Sequence, residues 1–299
     1  MPQTFTVDDD YNDSRLDKWF KNIVLSLPHS LIEKIIRQNK IKVNKKKTKS
    51  SYRLQVGDLI EIYDISKFRP ADNKKKLKYL PKKKEIGIYE DYIIEDNENF
   101  IVINKPTGIP VQSGTKSFKN IIDILKNTKY FENSKPFIVH RLDKETSGVL
   151  IVAKNRKYAQ LFTSLFRIRK IHKTYLAIVY GKVNKSIKIM KDDLVYYENN
   201  KKVIQRAISS IKIIKSNEGY SYLELKPITG RKHQLRKQLL KIGNPIIGDD
   251  KYFLTNRKRI KNKNLMLHAY KIKFMINNVQ YNFKSNYNSL FEEFLRNNF

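Results

Sequence analysis

The sequence predicts an α+β protein in two parts: a small N-terminal unit of two helices and short strands, then a larger domain built on a mixed, mainly antiparallel sheet. Three observations carry this. Apolar residues recur at helical spacing in two early segments, and a basic, proline-interrupted stretch then breaks the pattern. The remainder mixes strand-like and helical runs without the regular strand–helix alternation of a parallel sheet. A length of 299 residues is generous for one domain, and no internal repeat of fixed period is visible.

The first unit is expected over 13–63. Leu16, Trp19, Phe20, Ile23 and Val24 follow the spacing of one buried helical face. A second helix is expected to begin at Ser30, with Glu33 completing a capping box. Its apolar face is Leu31, Ile32, Ile35 and Ile36, which leaves Lys34 and Arg37 outside. IKVN, a lysine-rich turn holding Lys45 and Lys46, and LQVGDLIEI read as short strands, with Gly57 at a turn. Lys34, Arg37, Lys45 and Lys46 make a basic helix face beside a basic turn, a pattern suited to lying along a phosphate backbone.

Residues 64–87 are expected to be a basic linker. Pro70 and Pro81 interrupt it, and triple-lysine runs occupy 74–76 and 82–84. The large domain is expected over 88–299. FIVIN, GVLIVAK, TYLAIVYG, YSYLELKP and the stretch from Leu265 to Phe274 are rich in β-branched and aromatic residues and read as strands. Tyr158, Leu161, Phe162, Leu165 and Phe166 form a helical stripe; another helix is expected from His233 to Lys241, stopped by Gly243. Leu290, Phe291, Phe294 and Leu295 predict a closing helix.

Lysine and arginine number 61 against 29 acidic residues, a net charge of +32 that is best balanced by a polyanion. There is no cysteine, so disulfides, thiolate metal sites and thiolate attack on a pyrimidine ring are excluded. The five histidines are scattered and form no helical zinc pair, so no metal is expected. The first residues lack a basic-then-apolar leader and no window is apolar enough to span a membrane, which predicts a cytoplasmic protein. A monomer is the default expectation.

The chemistry concentrates in His140-Arg141-Leu142-Asp143-Lys144-Glu145-Thr146-Ser147-Gly148, a polar loop running directly into the apolar strand VLIVAK. A loop so anchored presents a carboxylate on a rigid scaffold. HRLD-x-x-TSG resembles the signature of the RluA-type pseudouridine synthases, with seven fixed positions in nine, and GVLIVAK most resembles their RluC branch. The resemblance continues in order through NKPTGIPV at 104–111, HKTYLAIVYG at 172–181, TGRKHQLR at 229–236, NPIIGDDKY at 244–252 and LMLHA at 265–269. Residues 13–63 resemble an S4 RNA-binding domain of the αL type. The chain departs from the usual pattern at Gln112, Gln238 and Asn244, where relatives often carry histidine.

This resemblance implies an isomerase that turns uridines of large-subunit (23S) ribosomal RNA, presented as the precursor RNA, into pseudouridine: the N1–C1′ bond breaks, the uracil turns, and C5 joins the same sugar carbon. Nothing is added, so no cofactor is implied. Asp143 is implied as the catalytic acid, either attacking C1′ or removing a sugar proton. A carboxylate kept charged in a pocket sealed by a base needs a cation beside it. The resemblance assigns that role to Arg236, and Arg236→Ala is expected to damage turnover more than RNA affinity. Tyr175 is implied to stack on the uracil, with its hydroxyl a candidate for assisting proton removal at C5. Arg141 is implied to fill the gap left by the extruded uridine, and Arg231 to contact phosphate. His140 and His233 are expected to be structural or RNA-contacting. The rivals are a catalytically idle RNA-binding assembly factor and a synthase acting on another RNA.

Overall fold

The structure is a computed structural model that describes residues 2–64, 66, 79–113, 119–198, 201–254 and 264–299. Pro70 and the lysine run at 74–76 lie outside the described residues. The chain divides into two compact units, Met1–Leu77 and Lys78–Phe299.

The small unit contains β1 (Gln3–Thr6), α1 (Leu16–Ile23), α2 (His29–Arg37), β2 (Ile41–Val43), β3 (Lys46–Lys47) and β4 (Leu59–Ile62). Its four strands run in the order β1-β4-β2-β3. Leu16, Trp19, Phe20, Ile32, Ile35 and Ile36 bury the inner faces of both helices against Ile41, Val43, Ile60 and Ile62. Ile23, placed on that face by spacing, is exposed.

Three expectations for this region need correction. The unit starts near Gln3, not at 13, because β1 pairs with β4 from Gln3↔Ile62 to Thr6↔Leu59; that strand is mostly exposed, so its pairing leaves no apolar pattern to read. The capping box at Ser30 is absent. Pro28 takes the cap position and its carbonyl accepts from the Leu31 and Ile32 amides, while the Glu33 carboxylate accepts from Ser50 Oγ at 3.3 Å. Finally, the expected linker ends early, because α3 (Lys83–Glu90) is a helix of the second unit. Glu85 draws it in by pairing with Lys119 and accepting from the Tyr79 hydroxyl, and Tyr89 is buried.

The large unit continues with β5 (Ile93–Asp96), β6 (Phe100–Lys105), α4 (Ile121–Leu125), β7 (Phe137–Ile138), β8 (Ser147–Ala153), α5 (Arg156–Arg167), β9 (His172–Tyr180), β10 (Ile189–Glu198), β11 (Lys201–Ser216), β12 (Tyr220–Pro227), α6 (Gln234–Lys241), β13 (Leu267–Ile276), β14 (Val279–Lys284) and α7 (Ser289–Asn298). The main sheet order is β10-β11-β12-β9-β13-β8-β6-β5, with β14 on β13 and β7 on β8. Among the described residues only β13 and β8 pair in parallel; the other pairs of this sheet are antiparallel. The long β10–β11 hairpin was not legible in the sequence because charged residues such as Lys191, Asp192 and Asp193 interrupt the apolar pattern of its strands.

Helices pack on both sides of the central strands. Phe162 of α5 joins Phe100, Ile151 and Phe274 in one core, and Leu235 and Leu239 of α6 join Ile178, Leu223, Phe291 and Phe294 in another. Strand β8 is buried along its whole length, as expected of a strand covered on both faces.

Gly148 is where this packing constrains the chemical loop. Its φ is +111°, and a β-carbon there would stand 2.3 Å from the Ala269 carbonyl oxygen, directly across the β13–β8 pairing. Backbone cannot yield as a flexible side chain does. Gly148→Ala is therefore expected to lower the melting temperature by several degrees and to cut turnover, read by calorimetry beside the activity assay.

Candidate active site

The Asp143 loop is clamped from below. Lys105, at the end of β6 and fully buried, donates from Nζ to the carbonyls of Pro106 (2.8 Å), Ile109 (2.9 Å) and Lys144 (3.1 Å). Thr107 Oγ1 donates to the Glu145 carbonyl at 2.8 Å. Burial pushes the Lys105 ammonium down to about 7, with Glu145 and Asp143 opposing. Just beyond the loop, Ser147 Oγ and the fully buried His268 Nδ1 are 2.9 Å apart, and His140 Nε2 accepts the Ile151 amide at 2.9 Å. Burial first, then Lys173, pushes His140 down to about 3, so it is a neutral acceptor that ties the start of the loop to β8.

So held, Asp143 lines a cleft of about 720 Å³ together with Tyr175, Arg141, Arg231, His233 and Arg236. A volume of this order accommodates a ligand larger than a nucleoside. The Asp143 side chain is 24% exposed and lies 3.7 Å from Arg236 Nη1 and 3.6 Å from His233 Nε2. Both distances exceed a hydrogen bond, which leaves the carboxylate oxygens free to meet a substrate while charge-balanced.

Arg236 is directed chiefly by Asp249, a residue that sequence reasoning passed over. Nε and Nη2 donate to the two Asp249 oxygens, both at 2.7 Å, and the Asp249 side chain is fully buried. Asp249 Oδ1 also accepts the amides of Lys251 (2.9 Å) and Tyr252 (2.8 Å), and the Tyr252 ring lies 5.0 Å from the guanidinium. Burial is the largest single influence on Arg236 and works against its charge, but the Asp249 hydrogen bonds together with the charges of Asp249 and Asp143 outweigh it and its pKa is raised. The bidentate pair turns the remaining nitrogen toward Asp143.

His233 stands at the head of α6 with φ +53°, a left-handed conformation uncommon outside glycine. The bend aims its ring between Asp143 and Tyr252, whose hydroxyl is 2.9 Å from Nδ1. Burial lowers its pKa, with Asp143 opposing, so the ring is held neutral at neutral pH. The only signal for Asp249 and Tyr252 in the sequence was the GDDKY run, matched without an assigned role.

Tyr175 projects from β9 into the cleft, and burial, followed by Asp143, pushes its phenol above the ordinary range. It is a neutral ring at neutral pH. Arg141 is exposed at the rim. Arg231 Nε donates to the Arg206 carbonyl at 3.2 Å. Two of the departures from the family pattern are absorbed by hydrogen bonds: Gln238 accepts from Ser209 Oγ at 2.7 Å, and Asn244 Nδ2 donates to the Tyr180 carbonyl at 2.8 Å. In the small unit, Lys34 and Arg37 are exposed on α2, and Lys45 and Lys46 are exposed where Asn44 and Lys45, both at positive φ, turn β2 into β3. Among the described residues, no group of three or more potential ligands could hold a metal ion, and no helix is long and apolar enough to cross a membrane.

A basic cleft with one carboxylate between a clamped arginine and a neutral aromatic ring is the equipment of an enzyme that works on a nucleobase. Comparison with known proteins defines it further. A family model described as RNA pseudouridylate synthase matches residues 99–241, and an S4 domain model matches residues 14–60. The ribosomal large subunit pseudouridine synthase C of Rickettsia felis is 37% identical over 274 residues, covering 86% of this chain and 87% of that protein. The corresponding protein of Buchnera aphidicola is 34% identical over 275 residues, covering 87% of this chain and 85% of its own. The solved structure of human RNA pseudouridylate synthase domain containing 4 superposes with a TM-score of 0.61 at 26% identity, covering 71% of this chain and 94% of that one.

The chain belongs to the RluA/RluC family of pseudouridine synthases, in the form that carries an N-terminal S4 domain. It is thus an isomerase, with the α+β fold expected from its sequence.

Proposed function

We propose that the protein isomerises uridines of large-subunit ribosomal RNA in the cytoplasm, acting as a monomer and without a cofactor, with Asp143, Tyr175 and Arg236 as its catalytic residues. The observation that carries this reading is the Asp143 carboxylate in the cleft, 3.7 Å from Arg236 and beside the neutral Tyr175 ring. The RNA class follows from the relatives, which are named as synthases of the ribosomal large subunit.

In this reading the uridine is extruded into the cleft and Arg141 occupies the gap it leaves. Asp143 acts at the sugar while the N1–C1′ bond breaks. Tyr175 holds the freed uracil by stacking, an interaction worth about 1–3 kcal/mol per base, as the ring turns to offer C5 to C1′. The C5 proton leaves after the new bond forms, and N1 takes a proton, so atoms and charge balance. Arg231 contacts phosphate, and Lys34, Arg37, Lys45 and Lys46 give the S4 unit a basic face for the same polyanion.

The test is tritium release from a large-subunit ribosomal RNA transcript made with 5-tritiated uridine, followed by pseudouridine mapping in cells lacking the gene. Stoichiometric release, and loss of particular pseudouridines from that RNA in the deletion strain, are expected. An intact large-subunit pattern with pseudouridine missing from another RNA would overturn the substrate assignment and leave the enzyme class standing.

A further inference from the structure

Part of the cleft is built for a charge that the uridine itself does not carry. Lys173 and Tyr175 are two residues apart on β9, so their side chains leave the same face of the strand. Both line the cleft, as do Phe166 and Arg167 of α5 and Arg169 just past its end, and His140, which feels the Lys173 charge, packs on the Phe166 ring with centroids 4.7 Å apart.

Lys173 is unpaired. Among the described residues, its ammonium makes no hydrogen bond and has no carboxylate within ion-pair distance. The nearby His140 is neutral and already accepts the Ile151 amide, and Asp143 lies beside His233 and Arg236 instead. Burial lowers the Lys173 pKa with nothing opposing it. A half-buried lysine with no counter-ion is costly unless a ligand supplies one.

The surroundings keep it accessible to such a ligand. A β-carbon on Gly230 would stand 3.7 Å from Lys173 Nζ, so the bare glycine leaves space above the ammonium. Arg169, which lines the same cleft, sits just past the end of α5 at φ +61°, a helix-ending position that glycine fills most cheaply. It too has no partner among the described residues, while Arg167 rests on Ser164 Oγ at 3.3 Å. Two cations without side-chain partners among the described residues, one of them in a disfavoured backbone conformation, line the same cleft.

Resting on the proposed RNA isomerisation, we infer that Lys173 and Arg169, flanked by Arg167, form a subsite for the backbone phosphodiester of a nucleotide adjacent to the extruded uridine. The diester supplies the missing counter-charge to Lys173, and the subsite sets the register of the strand so that the target sugar meets Asp143. Phosphate contacts position a strand without reading its sequence, which suits a site that only has to hold the chain beside the reaction.

The experiment compares the full-length protein with Lys173→Met, Lys173→Arg and Arg169→Gln. Tritium release gives kcat and KM on the 5-tritiated transcript, and filter binding gives affinity across a salt series. Lys173→Met keeps the aliphatic stem and removes the charge. It is expected to raise KM and Kd about tenfold, the scale of one charge-assisted hydrogen bond, with kcat changed less than about twofold. The slope of log K against log salt should become shallower by about 0.7, the loss of one phosphate contact on a single strand. Lys173→Arg should restore the slope.

Arg169→Gln, at an exposed position, should show the same loss of slope, and it carries the test alone if Lys173→Met does not fold. An unchanged slope in both variants, or a fall in kcat at constant KM, would overturn the subsite. Because the slope is read by binding, a wild-type protein that binds RNA yet releases no tritium would sink the isomerisation reading while leaving the phosphate contact measurable.

Discussion

Asp143→Asn is expected to abolish tritium release, by about 10⁴-fold or more, the scale reached when a group acting on the reacting bond is removed. The substitution keeps size and shape and deletes only the charge and basicity of the carboxylate. Stability should barely change, because neither neighbour depends on Asp143 for its position: Arg236 is held by Asp249 at 2.7 Å, and His233 has Tyr252 at 2.9 Å. RNA affinity should stay within a few-fold or improve, since one negative charge leaves a basic cleft. Attack on C1′ and removal of a sugar proton both require the carboxylate, so the prediction covers both routes. Residual activity within tenfold of wild type would remove Asp143 from the chemistry, and a wild-type protein as inactive as the variant would point to an idle RNA-binding relative.

The second large effect falls on Arg236 and Asp249. Arg236→Ala strands a fully buried carboxylate whose other bonds, among the described residues, come from the Lys251 and Tyr252 amides. Removing one partner of such a pair costs about 3–5 kcal/mol, a fall in melting temperature on the order of 10 °C for a unit of this size. Turnover is lost as well, because the cation beside Asp143 is gone. Activity alone therefore misreads this variant, and the simple expectation of damage to turnover has to be joined to one of damage to folding. Arg236→Ala combined with Asp249→Ala should recover part of the stability and none of the turnover. Calorimetry and tritium release on the three proteins make the cycle; additive stability losses would show that the pair is not coupled. Arg236→Lys should remain well below wild type in turnover, since an ammonium cannot make the forked contact that aims the remaining nitrogen at Asp143.

Several parts of the fold were legible because local chemistry states them directly. The apolar runs of β6, β8, β9 and β12 could not be left in water, and Gly243, at φ +82°, ends α6 where a C-terminal glycine belongs. Other parts were hidden for equally physical reasons. Strand β1 is held by backbone pairing with β4, which leaves no side-chain signature. Strands β10 and β11 extend far along their hairpin with Tyr197 and Ile204 exposed, so the buried/exposed alternation that marks a strand is blurred. At α2 the sequence offered Ser30 and Glu33 as a cap, and the chain used Pro28, whose fixed φ suits the approach to a helix.

By itself the sequence determined the kind of protein this is: HRLDKETSG and the motifs that follow it in order, a basic excess matched to a polyanion, and the absence of any cysteine. These are properties of residue type and order, and they survive without coordinates. Only the tertiary structure decided how Asp143 is served, since Asp249 and Tyr252, in the loop after α6, hold Arg236 and His233 against a carboxylate that comes from the far-off loop before β8. Charge pairing inside a protein depends on distance and burial, and neither quantity is written in the order of residues along a chain.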